Sequence, residues 1–547
     1  MTLSKAFSVA LLSGVSLFAF AGTASAGKPA SGAASPAAPE NSSDARIQAL
    51  EEQIRSLSDQ VTDLKRSTGA QYADIQNRQA EAATVSIANG RPTITSADGD
   101  FSAAIRTLVQ FDTAAYMQST AAASLPAAYG PDLSSGSNFR RVYLGLQGKL
   151  FGDWSYNLNF DFGGSGGTEQ PGRIQSVYLE YDGLAPWALR VGAYPPPANV
   201  EDGTSSGETI FLERNSPSNL QRGLAGGDGR DAVSILYTGE RLFGALSYTG
   251  GKVQDTAVFD EQQATVGRAS YLFWSGPDAH FLLGVNGTHI FKLPDAVAAG
   301  AANLSTTPGA AALHSVTLAD PPELTVDSNG IKLANTGALP ANHLTQWGVE
   351  TAGNIERFYV QAGYYGFAVD RAPVAYKTYS SATTSATTVV QPSNNSFSAW
   401  YAQAAFTLTG ETRAYNAANG AFSQPKPTKS VGHGGWGAWE IAARYSSLNL
   451  NSHANDTAAL VTNWTGASNE TYTFTNTVRG GEQRIVTVGL NWYASTAIRF
   501  ALDYQWVDVS RLQAPAAVTV SSGSPLLPAL NGGQKFQTFA FRAQFSI

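Results

Sequence analysis

The sequence predicts an all-β fold: a 16-stranded antiparallel transmembrane β-barrel preceded by a short periplasmic α-helical coiled coil. Three observations predict it. Runs of period-two alternation reach about ten residues, the length a tilted strand needs to cross a bilayer. There are sixteen such runs, an even number that suits an antiparallel barrel with both ends on one side. The connections between them alternate short and long along most of the chain. Composition agrees. Charged residues are 14% of the 547, below the ~25% of ordinary soluble domains. Aromatics are 11% and Gly contributes 54 residues. Mean hydropathy is -0.14, which argues against a helical membrane protein and suits strands that alternate polar and apolar.

The charge balance sets the class of partner. Lys and Arg number 35 against 42 Asp and Glu, a net charge of -7. With no basic excess, no nucleic-acid partner is expected. There is no Cys, so disulfides, thiolate zinc sites and Cys nucleophiles are excluded together.

In chain order, residues 1–26 read as a secretory signal peptide. Lys5 supplies the positive start, Ala6 to Ala21 the apolar stretch, and Ala24-Ser25-Ala26 the small-x-small cleavage pattern. Residues 27–43 are mostly Ala, Pro, Gly and Ser and read as a flexible linker. Over 44–68 the apolar residues Ile47, Leu50, Ile54, Leu57, Val61 and Leu64 recur at alternating spacings of three and four. That is the a/d seam of a coiled coil, with Ser42, Ser43 and Asp44 as candidate N-caps. Three heptads are marginal alone, so this helix needs partners held nearby. The Ile/Leu pattern favours two strands but does not set the number. The plainer alternative is an amphipathic helix lying on its own domain. Residues 69–100 read as a second linker, and 101–547 as the barrel.

The barrel runs start near residues 103, 137, 153, 173, 187, 230, 242, 263, 279, 343, 357, 397, 436, 481, 497 and 535. In the clearest, Trp154, Tyr156, Leu158, Phe160 and Phe162 share one face, with Ser155, Asn157, Asn159 and Asp161 on the other. Tight connections such as Phe151-Gly152-Asp153 and Ala185-Pro186 alternate with long ones rich in Gly, Ser, Pro, Asn and Ala. Short periplasmic turns and long outer loops are the expected pattern for an outer-membrane barrel. One connection, 409–435, breaks it by being long on the short-turn side. The chain ends on Phe539, Phe541, Phe545 and Ile547 at one parity. This is a last strand suited to closure against the first, and it would be an aggregation liability as a soluble edge.

Several segments then resemble the phosphate-selective porin O and P family. They are Arg140-Arg141-Val142-Tyr143-Leu144-Gly145, Gly226-Gly227-Asp228-Gly229-Arg230-Asp231-Ala232, Leu408 to Tyr415, Gly434 to Glu440, and Gly489-Leu490-Asn491-Trp492-Tyr493. They fall in the family's order across roughly 101–547. The resemblance implies a homotrimer of 16-stranded outer-membrane channels, embedded in lipid and passing small anionic or neutral solutes without a cofactor. It also accounts for the odd connection, because the family carries its Leu-Thr-Gly-Glu segment there. A trimer would hold three of the heptad helices together in the periplasm.

A pore works through what faces its lumen. Alternation places Arg106, Arg141, Lys149, Arg190, Arg268, Arg444, Arg499 and Arg542 on that side, against Asp112, Asp161, Glu180, Glu440 and Asp503. Arg keeps its charge and offers a planar fork of donors to anions. The alternative for each is a salt bridge that stiffens the wall, such as Glu440 with Arg444. The resemblance implies that the long connection 195–229 folds inward and narrows the channel. It carries Arg214 and Arg222, with Arg230 at the start of the next strand, and also Glu201, Asp202, Glu208, Glu213 and Asp228. It holds no Lys and is net acidic, so the pore carries over from the family and the phosphate specificity does not. Arg214 and Arg222 are the expected anion-attracting residues of the constriction, unless Glu213 or Asp202 pairs with them.

Two other solute readings stay open. In a carbohydrate porin, Tyr143, Tyr178 and Tyr194 would stack sugar rings. In a structural or adhesive barrel, the nearly uncharged connection 292–342 would be a plug. Enzyme motifs fail. Gly163-Gly164-Ser165-Gly166-Gly167 and Gly203-Thr204-Ser205-Ser206-Gly207 match G-x-S-x-G, but neither falls on a strand-to-helix turn. The six His are dispersed without metal-ligand spacing.

Overall fold

The computed structural model describes residues 42–88, 90–118, 132–164, 171–254, 260–295, 314–379, 385–454, 459–461, 469–473, 476–511, 519–521 and 533–547. The signal peptide expected at 1–26, and the linker after it up to residue 41, lie outside the described residues.

Helix α1 (Ser42–Glu81) is 40 residues long. It carries the heptad residues on one stripe, with Ile54 64% and Leu64 67% exposed. It also runs thirteen residues past the expected end at 68, as the numbering shows. Residues 69–100 are therefore not a linker. Beyond Thr68 the a/d seam is lost, but Ala, Gln, Glu and Arg keep a high helix propensity. A hairpin follows, Thr84–Ala88 on Arg91–Thr95, and its second strand pairs with the start of the barrel through Thr93↔Ala104 and Thr95↔Ser102.

Sixteen strands then form one closed wall. In order they are β1 (Ser102–Gln118), β2 (Gly136–Leu150), β3 (Trp154–Asp161), β4 (Arg173–Leu184), β5 (Trp187–Ala193), β6 (Arg230–Thr238), β7 (Leu242–Lys252) and β8 (Gln263–Ser275). The second half comprises β9 (Ala279–Lys292), β10 (Leu339–Ile355), β11 (Phe358–Arg371), β12 (Asn395–Thr407), β13 (Ala438–Ser452), β14 (Val478–Tyr493), β15 (Ile498–Ser510) and β16 (Gln534–Ser546). Every strand begins within four residues of its expected start. Each pairs antiparallel with the next, and β16 closes on β1 from Phe536↔Gln118 to Ser546↔Leu108. The sixteen-stranded wall therefore has no unpaired edge, which removes the aggregation hazard of open strands there.

Alternation sorts the two faces. On β16, Phe539 and Phe545 point out and are 43% and 42% exposed, while Thr538, Ala540 and Arg542 at the opposite parity are buried. The same split on every strand makes a continuous apolar outer band, far larger than the patches a soluble monomer carries. At the short-turn end that band finishes in paired aromatics, such as Trp187 with Tyr237 and Trp439 with Trp492. Gly353 in β10 shows why some wall positions are Gly: a Cβ there would meet the Phe281 ring at 2.1 Å.

The barrel is filled by three inward segments. Residues 194–229, after β5, turn into the lumen and carry two short helices, α2 (Val200–Gly203) and α3 (Ser216–Ala225). Asn215 caps α3 by accepting from the Ser218 N–H at 2.8 Å, and Pro217 sits in its first turn. Leu220, Leu224 and Ala225 of α3 join the wall residues Val266, Ile290, Leu344 and Tyr365 in one buried cluster. From the long-loop end, residues 314–338 fold over this inner loop. From the short-turn end, the connection 408–437 tucks upward, burying Ala421 and Phe422 beside Val200, Ile210 and Phe211. This explains the odd long connection: it supports the inner loop from below.

Candidate functional site: the lumen constriction

Wall arginines dock the inner loop by its backbone. Arg542 bonds both carboxylate oxygens of Asp112 at 2.6 Å and reaches the Leu212 carbonyl at 2.5 Å. Arg499 reaches the Ile210 carbonyl at 2.7 Å, and Arg444 the Glu213 carbonyl at 3.0 Å. Asp503 accepts from the Leu212 N–H at 2.8 Å. Arg268 pairs with Glu350 at 2.7 Å and donates to the Asn419 and Gly420 carbonyls of the tucked connection. A non-helical stretch buried in a lumen must have its carbonyls and amides satisfied, and these charged side chains satisfy them.

This corrects part of the sequence reading. Arg268, Arg444, Arg499 and Arg542 do face inward, yet they lie in the seam between wall and inner loop and border neither lumen cavity. Lys149 is exposed on β2 next to the turn at 151–153 and borders neither cavity as well. The suggested Glu440–Arg444 bridge does not form. Glu440 pairs with Arg413 at 2.7 Å, and Arg444 with Glu323 at 2.6 Å.

Two residues that alternation assigned nowhere are central. The pairing of β1 with β2 slips between Gln110↔Arg141 and Phe111↔Phe139, leaving Arg140 as an extra residue. Such a bulge re-aims a side chain, so Arg140 and Arg141 both turn inward. They converge on Glu213 of the inner loop, Arg140 at 2.6 Å and Arg141 at 3.5 Å, with Arg542 at 3.2 Å. Burial alone would raise this carboxyl. The three guanidiniums outweigh it and hold Glu213 well below the usual carboxylate range. Glu323 is the second. It sits in the left-handed region at φ 56°, an unusual conformation for a non-Gly residue. There it accepts from Arg444, from the Ser446 hydroxyl and from the Ser216 N–H. The doubled Arg breaking the alternation of β2 was a readable sign of the bulge. Nothing in the sequence marked Glu323.

Inside this frame two cavities lie one above the other. The outer one, about 530 Å³, is bordered by the inner loop and the 314–338 segment, with Arg140, Arg141, Arg230 and Lys332 on it. The inner one, about 190 Å³, is bordered by Arg106, Arg190, Tyr178 and the tip Ala418–Asn419. Arg214 and Arg222 border both, so they mark the level between the cavities. Arg222 bridges Asp202 and Asp228, the latter at 2.5 Å, and Arg214 lies 3.7 Å from Asp202. Burial opposes the charge of Asp228, but Arg222 and its neighbours keep the carboxyl below its ordinary range. Asp202, not Glu213, is thus the partner of Arg214. Arg230 bonds the Gly226 and Gly250 carbonyls. Arg190 pairs with Glu180 at 2.5 Å. Tyr143 and Tyr194 are 2% and 0% exposed, which leaves neither ring a face for a sugar.

The 314–338 segment holds a further ionisable contact. Asp320 is buried against α3 and accepts from Asn219 at 2.6 Å. Burial pushes its carboxyl up to about 8, with Asn219 and Lys332 opposing and Glu323 adding to the rise. A carboxyl whose folded pKa lies above its unfolded value supports docking fully at low pH. That support is lost as pH rises from ~4 through about 8. Limited proteolysis of the segment should therefore speed up across that range in the native chain, and Asp320→Asn should flatten the dependence.

The fold and lumen are those of an outer-membrane channel: a closed barrel with an apolar belt, an inward loop and a polar lane. The chain belongs to the phosphate-selective porin O and P family, whose model matches residues 125–527. It is accordingly a porin of the bacterial outer membrane. It is 24% identical over 382 residues to Porin O of Pseudomonas aeruginosa, covering 67% of this chain and 75% of that one. It is 25% identical over 388 residues to an uncharacterized protein of Caulobacter vibrioides, covering 69% and 64%. Among solved structures it is similar to an anion-selective porin from Comamonas acidovorans, at 9% identity and TM-score 0.43, covering 82% of this chain and all of that one. It is also similar to the outer membrane channel DcaP of Acinetobacter baumannii, at 11% identity and TM-score 0.40, covering 82% and 97%.

Proposed function

We propose that this porin passes small anions in preference to cations, with Arg214 and Arg222 at the level that discriminates. The observation that carries this reading is the inner cavity, bordered by Arg106, Arg190, Arg214 and Arg222 against the single carboxylate Asp202. Charge of one sign in a narrow lumen concentrates the opposite ion. The net acidity of the inner loop does not argue against it, because Glu213, Asp202 and Asp228 are each engaged by arginines.

The working unit is a homotrimer. Two features of the wall support it. Strands β3 and β5 have only 8 and 7 residues, fewer than the ~9–11 that span a bilayer. Across β7 to β15 the long-loop end of the outer face carries Tyr248, Trp347, Tyr364, Trp400 and Trp506, whereas over β1 to β6 the exposed residues there include Phe111, Met117, Phe139, Phe160, Phe162, Val191 and Val233. Aromatic belts mark lipid interfaces. A low wall whose described residues there include neither Trp nor Tyr is suited to being covered by a second copy. The exposed heptad stripe of α1 would then pair among three helices in the periplasm.

The test is the zero-current potential in a planar bilayer under a tenfold KCl gradient. An anion-selective potential is expected, with channels that insert together and close in three equal steps. A potential near zero or of cationic sign would overturn the anion reading, and single-step closure would overturn the trimer.

A further inference from the structure

The inner cavity combines two chemistries that a filter for inorganic anions does not need together. Its lining is basic through Arg190, Arg214 and Arg222. It is also apolar through the half-buried Tyr178, Pro195 and Pro197. Arg190 is fixed from several directions. Its guanidinium carbon lies 4.4 Å from the Tyr178 ring centre and 5.4 Å from that of Tyr194, while Glu180 holds its Nε at 2.5 Å. Tyr178 is itself set edge-on against Tyr194, with ring centres 5.5 Å apart. Arg214, only 7% exposed, keeps a buried Nε–H with no hydrogen-bond partner. Its remaining contacts are long: 3.5 Å to the Thr204 carbonyl, 3.4 Å to the Ser206 hydroxyl and 3.7 Å to the Asp202 carboxylate. The cavity holds about 190 Å³, an order of magnitude above the ~10–15 Å³ that houses one water.

We propose that this cavity is a binding site for a small aromatic carboxylate. Its carboxylate meets the guanidiniums of Arg214 and Arg222, and its ring lies against Tyr178 and the Pro195–Pro197 edge. The proposal rests on the anion-pore reading and narrows its solute class. A carboxylate collects charge-assisted hydrogen bonds from guanidinium. A ring gains from leaving water against Tyr and Pro and from lying beside the Arg190 guanidinium. Phosphate, chloride or acetate can use the first contribution only. The site lies on the periplasmic side of the discriminating level, so such a solute pauses after passing Arg222 on its way in.

The test uses the full chain in planar bilayers with symmetrical KCl and adds benzoate, acetate or phosphate from the periplasmic side. Benzoate is expected to reduce the chloride current at a concentration at least tenfold below acetate and below phosphate. Tyr178→Leu should raise the half-blocking benzoate concentration at least fivefold while shifting that of acetate less than twofold. Should the variant not fold, the benzoate-to-acetate comparison on the native chain still decides. Equal block by benzoate and acetate, or a Tyr178→Leu shift common to both, overturns the aromatic site. An anion-selective zero-current potential of the same channels under the tenfold KCl gradient leaves the pore reading standing. A cation-selective or silent channel overturns both.

Discussion

Glu213→Gln releases the inner loop. Glu213 is the one carboxylate on which Arg140, Arg141 and Arg542 converge, and all four groups are buried. Removing its charge takes this counter-charge from Arg140 and Arg141, while Arg542 keeps Asp112; breaking a buried pair by removing one partner costs ~3–5 kcal/mol. The amide can still accept a hydrogen bond, so the backbone contacts from Arg499 and Arg444 persist and the barrel closes. The expected result is a channel with larger and noisier single-channel conductance, and a 194–229 segment that proteases cut. The pH dependence follows from the direction of the shift. A carboxylate held below its unfolded pKa of ~4.3 contributes docking stability above that pH and loses it as pH falls further. Native channels should therefore become noisy on acidification below pH ~4, and Glu213→Gln channels should be noisy throughout. Unchanged conductance in the variant would mean that the carbonyl contacts hold the loop by themselves.

Arg222→Ala shifts the channel toward cations. Arg222 stands between Asp202 and Asp228 at the level shared by the two cavities. Its loss leaves Arg214 to balance both carboxylates. Coulomb attraction at ~6 Å falls from ~3 kcal/mol at an effective dielectric of 20 to ~0.7 kcal/mol in water. The chloride-over-potassium permeability ratio should accordingly drop roughly tenfold, the factor that ~1.4 kcal/mol represents. The zero-current potential under a KCl gradient reads this directly. An unchanged ratio in a folded Arg222→Ala channel would move discrimination away from this level, toward Arg106 and Arg190.

The wall and the filling of the lumen stand at different distances from the sequence. Strand number, order and starts followed from period two, because every strand has one face on lipid and one on the lumen. Closure followed from the even count and the apolar last strand. Residues 69–81 were misjudged because a helix can persist on propensity after its apolar seam has ended. Arg140 was hidden by a bulge, a one-residue slip in pairing that only the partner strand reveals.

What the sequence by itself determined is the barrel: its strands, which side most wall residues face, and the entry of 195–229 into the lumen through the family resemblance. These depend on local periodicity and on a partition between lipid and water that each strand repeats. Only the tertiary structure decided the electrostatics of the lane. Alternation assigns a side but not a partner. Arg268, Arg444, Arg499 and Arg542 faced the lumen as expected, yet their charge is consumed by Glu350, Glu323, Asp112 and the carbonyls of segments distant in the chain. The acidic inner loop, read alone, argued against an anion path. Placed against Arg140, Arg141, Arg222 and Arg542, its Glu213, Asp202 and Asp228 are each paired, because a buried charge lowers its free energy by meeting its opposite, wherever in the sequence that opposite lies.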